Sequence, residues 1–211
     1  MTDSEVKFDR LSNTSHPAMP AVLEIYTEAF PASERLPIPV LKERVDRGIY
    51  ELWRGQQGDR VVFLAVLYPF PDSDLTLLGY IATHRSARNQ GIGSQFLRQI
   101  LAELQQRDRY LLLEVELPVE TDPMTQRRCE FYRRFGAVFL EGVRYILPPL
   151  SGGEPTEMCL AIASEYAEPT LSGDRVRSLL RHFFQDLYDR PANDPLLLTC
   201  LETVPDTVYL K

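Results

Sequence analysis

The chain has 211 residues, 44% of them hydrophobic and 25% charged, with a formal net charge of −7. That composition suits one large globular domain, or one domain with an extension, around a sizeable core. The acidic balance speaks against a binder of the nucleic-acid backbone, which usually carries a basic face, and mildly favours cationic substrates such as amines.

The chain opens on MTDSEVKFDR, which lacks the apolar core of a signal peptide. No run of about 18 apolar residues occurs anywhere, so a cytoplasmic protein with no membrane partner is expected. VKFDRL, Val6–Leu11, reads as a short first strand. In AVLEIYTEAF, Val22, Ile25, Tyr26, Ala29 and Phe30 share one helical face. The prolines of PASERLPIP end that helix, and VLKERVDRG reads as a second helix stopping at Gly48. IYELWRGQ and RVVFLAVLYPF form a hairpin around QGD, and LTLLGYIAT is a third strand in this run.

After Gly91, residues Ile92, Phe96, Leu97, Ile100, Leu101 and Leu104 mark an amphipathic helix. YLLLEVELP reads as a buried strand. PMTQRRCEFYRRFG reads as a helix that starts at a proline and stops at Gly136. AVFLEGVRYIL and TEMCLAIASEY read as two strands joined by PPLSGGEP. Beyond Glu168, the spacing of Val176, Leu179, Leu180, Phe183, Phe184 and Leu187 predicts one more amphipathic helix and a short tail. The order implies a mixed α/β sheet layered with helices. Residues 1–167 are expected to form the main domain. Residues 168–211 are expected to form a helical extension on the same domain or at a homodimer interface.

Chemistry concentrates after the third of these strands, in Arg88-Asn89-Gln90-Gly91-Ile92-Gly93. Free amides and the positive dipole end at a helix start suit a phosphate. Glycines permit close approach, and Arg88 adds a permanent cation. A Walker A loop would need a lysine that is missing. A dinucleotide loop would need glycine where Phe96 stands. On spacing alone, a strand-to-helix turn that binds nothing is the favoured reading.

Two carboxylates, Glu114 and Glu116, share one side of an otherwise apolar strand, opposite Leu111, Leu113, Val115 and Leu117. Such a pair suits a general base, or equally a solvent-facing strand end or an ion pair with Arg127 or Arg133. Tyr132 is by spacing a core aromatic near Phe135. The odd count of cysteines, Cys129, Cys159 and Cys200, without CxxC spacing, predicts neither a disulfide framework nor a metal site. His16 and His84 read as surface residues.

YIATHRSARNQGIGSQFLRQIL resembles motif A of the GNAT acetyltransferase superfamily, a strand, [Q/R]-x-x-G-x-[G/A] and a helix. CEFYRRFGAVF resembles its motif B, with Tyr132 and Gly136 in place and the aromatic displaced to Phe139. Phe30-Pro31-Ala32-Ser33-Glu34-Arg35 is similar to the FPxxER of one subgroup. The resemblance runs from about Val6 to Tyr166. It implies acetyl-CoA as cosubstrate and no metal. The cosubstrate would be held by Ile81, Ala82 and Thr83 through the strand backbone and by Arg88, Asn89, Gln90, Gly91, Ile92, Gly93 and Ser94 around the pyrophosphate. It implies direct transfer to a primary amine, with Glu114 preferred to Glu116 as base and Tyr132 as acid. The acceptor stays open among small molecules and proteins, with Glu34 and Arg35 near its cleft. The same fold could also serve a non-catalytic acyl-CoA sensor.

Overall fold

The computed structural model describes residues 5–119, 122–150, 152–163, 166 and 168–211. The chain resolves into two compact units, Met1–Arg109 and Tyr110–Lys211.

The first unit holds β1 (Val6–Leu11), α1 (Met19–Ala29), α2 (Ile38–Asp46), β2 (Glu51–Gln57), β3 (Arg60–Pro69), β4 (Leu75–Thr83) and α3 (Ile92–Gln105). Its strands pair antiparallel in the order β1-β2-β3-β4. The β2–β3 hairpin turns at Gly58, whose φ of 59° needs a residue without a side chain. β3 is buried along nearly its whole length, so its apolar run is continuous rather than alternating. Val66 faces Tyr80 and Leu67 faces Leu78, leaving Gly79 as the extra residue of a bulge.

The two faces of this sheet carry different aromatic sets. On the α3 side, Phe63 and Phe96 have ring centroids 4.8 Å apart, and Phe8 and Trp53 close on the same ring. On the other side, Tyr26 of α1 meets Tyr80 edge-on at 5.0 Å. α3 buries Ile92, Phe96, Leu97, Ile100 and Leu104, each worth about 2 kcal/mol of transfer free energy. That stripe fixes which way the helix lies, and so where its N-terminus points.

The second unit holds β5 (Tyr110–Glu116), α4 (Pro123–Arg133), β6 (Val138–Phe139), β7 (Tyr145–Leu147), β8 (Thr156–Ala163), β9 (Thr170–Ser172), α5 (Gly173–His182), α6 (Pro195–Thr203) and β10 (Thr207–Tyr209). β8 pairs antiparallel with β5, and with both β6 and β7. AVFLEGVRYIL is therefore two strands and not one. Gly142, at φ 73°, turns the chain between them, and Leu140, whose N–H still donates to Leu160 of β8, also bridges Leu210. Ser151 of the predicted turn, and Ser164 and Glu165 of the predicted strand end, lie outside the described residues.

All six apolar positions predicted after Glu168 are buried. Three of them lie in an unexpected turn: α5 continues as a π-helical turn over Phe183–Leu187, where Tyr188 N–H donates to the Phe183 carbonyl. The tail is also more ordered than a tail. It makes α6 and then β10, which pairs with β9. Within each unit the strands are mostly antiparallel and helices pack on them, which is the mixed α/β class expected. Among the described residues, no helix is long and apolar enough to cross a membrane.

Candidate functional site

The first unit carries the loop from Thr83 to Ser94. His84 accepts from Ser86 N–H and starts a short 3-10 turn over Arg85–Ala87, with Ala87 buried beneath it. The chain then passes twice through the left-handed region, at Asn89 (φ 62°) and Gly91 (φ 74°). Asparagine tolerates that conformation and glycine adopts it without penalty. Gly91 is the N-cap of α3, and its carbonyl accepts from Gln95 N–H at 3.0 Å.

No side chain of the described residues caps α3 at Gly91. The amides of Ile92, Gly93 and Ser94 are therefore left to whatever approaches from outside. A Cβ built on Gly91 would meet nothing within 4 Å, so the approach is open. Arg88 is half-exposed. Its Nε donates to the Thr83 carbonyl at 3.3 Å, and its Nη2 lies 3.7 Å from Glu28 of α1. Arg85 and the His84 ring also face Glu28, at 4.0 and 3.8 Å. Ile81, Ala82 and Thr83, opposite Ala65, Leu64 and Phe63 of β3, are half-buried.

Around α1, the FPxxER segment has a structural task. Arg35 Nη1 donates to the Phe30 carbonyl at 2.8 Å, just past the last turn of α1, while Glu34 is exposed. The Tyr80 hydroxyl accepts from Leu36 N–H, and the Tyr26 hydroxyl donates to the Leu36 carbonyl. Burial pushes the Tyr26 phenol up to about 12.

The second unit carries the three candidate acid–base residues. Glu114 and Glu116 share a side of β5, as the two-residue spacing requires. Their surroundings differ. Glu116 is partly exposed and pairs with Arg128 of α4, rather than with Arg127 or Arg133. Glu114 accepts from the Tyr188 hydroxyl at 2.7 Å and from the Tyr145 hydroxyl. Burial holds its carboxyl above the usual range, and the two phenol donors pull it back. Tyr132 is buried in α4 against Phe131, and burial pushes its phenol up to about 12. Cys129, one turn earlier, packs its Sγ against the Glu116 carbonyl.

Tyr145 and Tyr188 carry no signal in the sequence as partners of Glu114. Tyr188 stands 74 positions further on, beyond the last residue of the predicted apolar stripe. Only its place next to Leu187 hinted that it faces inward.

An acetyltransferase (GNAT) domain model matches residues 49–136, the stretch that contains the loop, β5 and Tyr132. The chain is 25% identical over 150 residues to "Putative acetyltransferase YjbC" of Bacillus subtilis (strain 168), covering 71% of this chain and 69% of that one. In a solved structure from Bacteroides thetaiotaomicron, named "Putative acetyltransferase from GNAT family", the fold matches with a TM-score of 0.73 at 24% identity. The match covers 88% of this chain and 99% of that one. A GNAT family acetyltransferase of Elizabethkingia anophelis, solved with acetyl-CoA bound, matches with a TM-score of 0.53 at 16% identity over 75% and 97% of the two chains. Residues 49–136 thus match an acetyltransferase (GNAT) domain model, and the chain shares its fold with solved GNAT acetyltransferases.

Proposed function

We propose that the chain is an acetyl-CoA-dependent N-acetyltransferase acting by direct transfer to a primary amine. The observation that carries this reading is the uncapped start of α3, where Gly91 leaves the amides open beside Arg88. A pyrophosphate fits such a place: it brings negative charge to the positive dipole end and supplies acceptors for amides that have none. Arg88, Gly91, Ile92, Gly93 and Ser94 would hold it, with Asn89 and Gln90 shaping the loop. The backbone of Ile81, Ala82 and Thr83 would guide the pantetheine arm.

Acetyl-CoA supplies the activated acetyl group. The chain's own residues then have two proton tasks. The acceptor reaches the protein as an ammonium and must lose a proton. Glu114 takes it, directly or through a water, because burial raises its carboxyl and its hydrogen-bond partners are neutral phenols. Glu116, neutralised by Arg128 and facing solvent, is the weaker candidate. The departing sulfur needs a proton, and Tyr132 holds one across the whole working range, since its phenol titrates at about 12.

Calorimetry with acetyl-CoA, followed by a free-thiol assay against primary amines, tests the reading. Binding that Arg88→Ala or Gly91→Glu weakens supports it, and absence of binding overturns it. Tyr132→Phe is expected to cut kcat at least about tenfold while leaving acetyl-CoA affinity unchanged.

A further inference from the structure

We propose that Tyr145 and Tyr188 aim the carboxylate of Glu114, so that the segment after residue 168 contributes a positioning residue to acetyl transfer. The proposal rests on the reading of Glu114 as the base.

Both phenols donate to the same oxygen. The Tyr188 hydroxyl lies 2.7 Å from Oε1, the Tyr145 hydroxyl donates to the same Oε1, and the two hydroxyls are 3.5 Å apart. Oε2 takes no hydrogen bond from the described residues. A carboxylate gripped at one oxygen by two donors cannot rotate without breaking both bonds. The free oxygen is then presented in one fixed direction, as a proton acceptor must be.

The phenols are themselves locked. Tyr145 is fully buried and stacks on Phe183 at 5.3 Å and 30°. Phe183 stacks in turn near Tyr188, at 6.3 Å and 10°. Phe183 opens the π-helical turn, and such turns recur at functional sites. Stability alone does not call for this arrangement. An apolar side chain at position 114 would avoid the cost of burying a carboxylate. The proton inventory is simple. An N–H bond of the acceptor ammonium breaks, its electron pair stays on nitrogen, and the proton passes to Oε2 and later to solvent.

Few other groups compete for control of Glu114. On its own strand Glu116 is paired with Arg128 of α4. Arg144, before β7, is paired with Glu157 of β8. Cys129 of α4, Cys159 of β8 and Cys200 of α6 are thiols that burial pushes up, so they stay neutral. The two phenols are left as the side chains that set its acidity.

The test uses Tyr188→Phe and Tyr145→Phe, with Tyr188→Leu to separate packing from hydrogen bonding. Carbon-13 NMR of glutamate-labelled protein follows the Glu114 carboxyl, assigned by its loss in Glu114→Gln. Turnover is followed against pH with acetyl-CoA and spermidine, glucosamine or an N-terminal alanine peptide. In each Phe variant the Glu114 titration is expected about one pH unit higher, and the acid limb of kcat/KM is expected to move up with it, at unchanged acetyl-CoA affinity. A titration or an acid limb that stays in place overturns the proposal. So does a shifted titration with no turnover of any of the three amines, which would reduce the contact to packing. If instead Glu114→Gln keeps full turnover, the base assignment itself fails, which is a different outcome from inert phenols beside an essential Glu114.

Discussion

Glu28 on α1 holds its carboxylate 3.7 Å from the guanidinium of Arg88 and faces Arg85 and His84 as well. One acid therefore draws on three side chains of the loop proposed to hold a pyrophosphate. An incoming anion would compete with Glu28 for Arg88. Glu28→Gln is expected to tighten acetyl-CoA binding about two- to threefold at low salt, with the gain fading at high salt. Arg88→Ala is expected to weaken binding about tenfold, the loss of one charge-assisted contact. Calorimetry at two ionic strengths checks both, and tighter binding by Arg88→Ala would contradict the role given to Arg88.

Gly91 offers a cleaner backbone test. A side chain there meets no neighbour, so the cost of Gly91→Ala comes from its φ of 74° alone. About 1 kcal/mol is expected from urea unfolding, with acetyl-CoA binding reduced only mildly. Gly91→Glu should cost a similar amount of stability yet abolish binding, because it places a negative charge where the phosphate is proposed to sit.

Glu114 should trade activity against stability. Its folded-state carboxyl is raised by burial, so the folded protein holds that proton more tightly than the unfolded chain does. The associated stability is full at acid pH and is lost as pH rises through the raised value. Above that raised value the carboxylate is therefore a net cost. Glu114→Gln keeps the shape and an acceptor for the phenols, and is expected to stabilise by about 1 kcal/mol there while lowering kcat at least about a hundredfold. Thermal melts should show the gain shrink on acidification, and a gain that grew on acidification would reverse the assigned shift.

Gly173 opens α5 where the chain has no room. A Cβ on it would lie 2.2 Å from the Pro205 carbonyl oxygen, and its N–H donates to Asp206. Backbone must move to admit any side chain. Gly173→Ala is expected to cost about 2–4 kcal/mol by urea unfolding. Hydrogen exchange should show the Val208 amide of β10 losing protection first.

Much of this architecture was readable from local pattern. β1 runs over Val6–Leu11 as expected, α3 starts directly after Gly91, and all six apolar positions after Glu168 are buried. These elements bury one apolar stripe or one apolar run, and such periodicity is written in adjacent residues. The break between β6 and β7 was not readable, because the pairing partner that defines both, β8, lies elsewhere in the chain. β9 and β10 are three residues each and pair with one another from far apart in the chain, too short for a period to register. Glu114 and Glu116 stand out by their two-residue spacing on an apolar strand, whereas the loop and Tyr132 take their roles from the family resemblance. The phenols that grip Glu114 were not readable, since a hydrogen bond across 74 positions leaves no local trace.

The turn over Phe183–Leu187 closes a hydrogen bond five residues apart where an α-helix would close one over four. It behaves as a single-residue insertion, and an insertion in a helix is an angle: about 100° of rotation for everything that follows. The azimuth at which Tyr188 leaves the helix is thus a matter of counting rather than of side-chain chemistry. Excising the exposed Gln185 would put Tyr188 four residues after Phe183, where an ordinary α-helical bond reaches the same carbonyl, so the phenol would keep its bearing while the wide turn is lost. Narrowing the turn to an α-helical one at unchanged length would instead swing that phenol by about 100°, with no substitution at position 188.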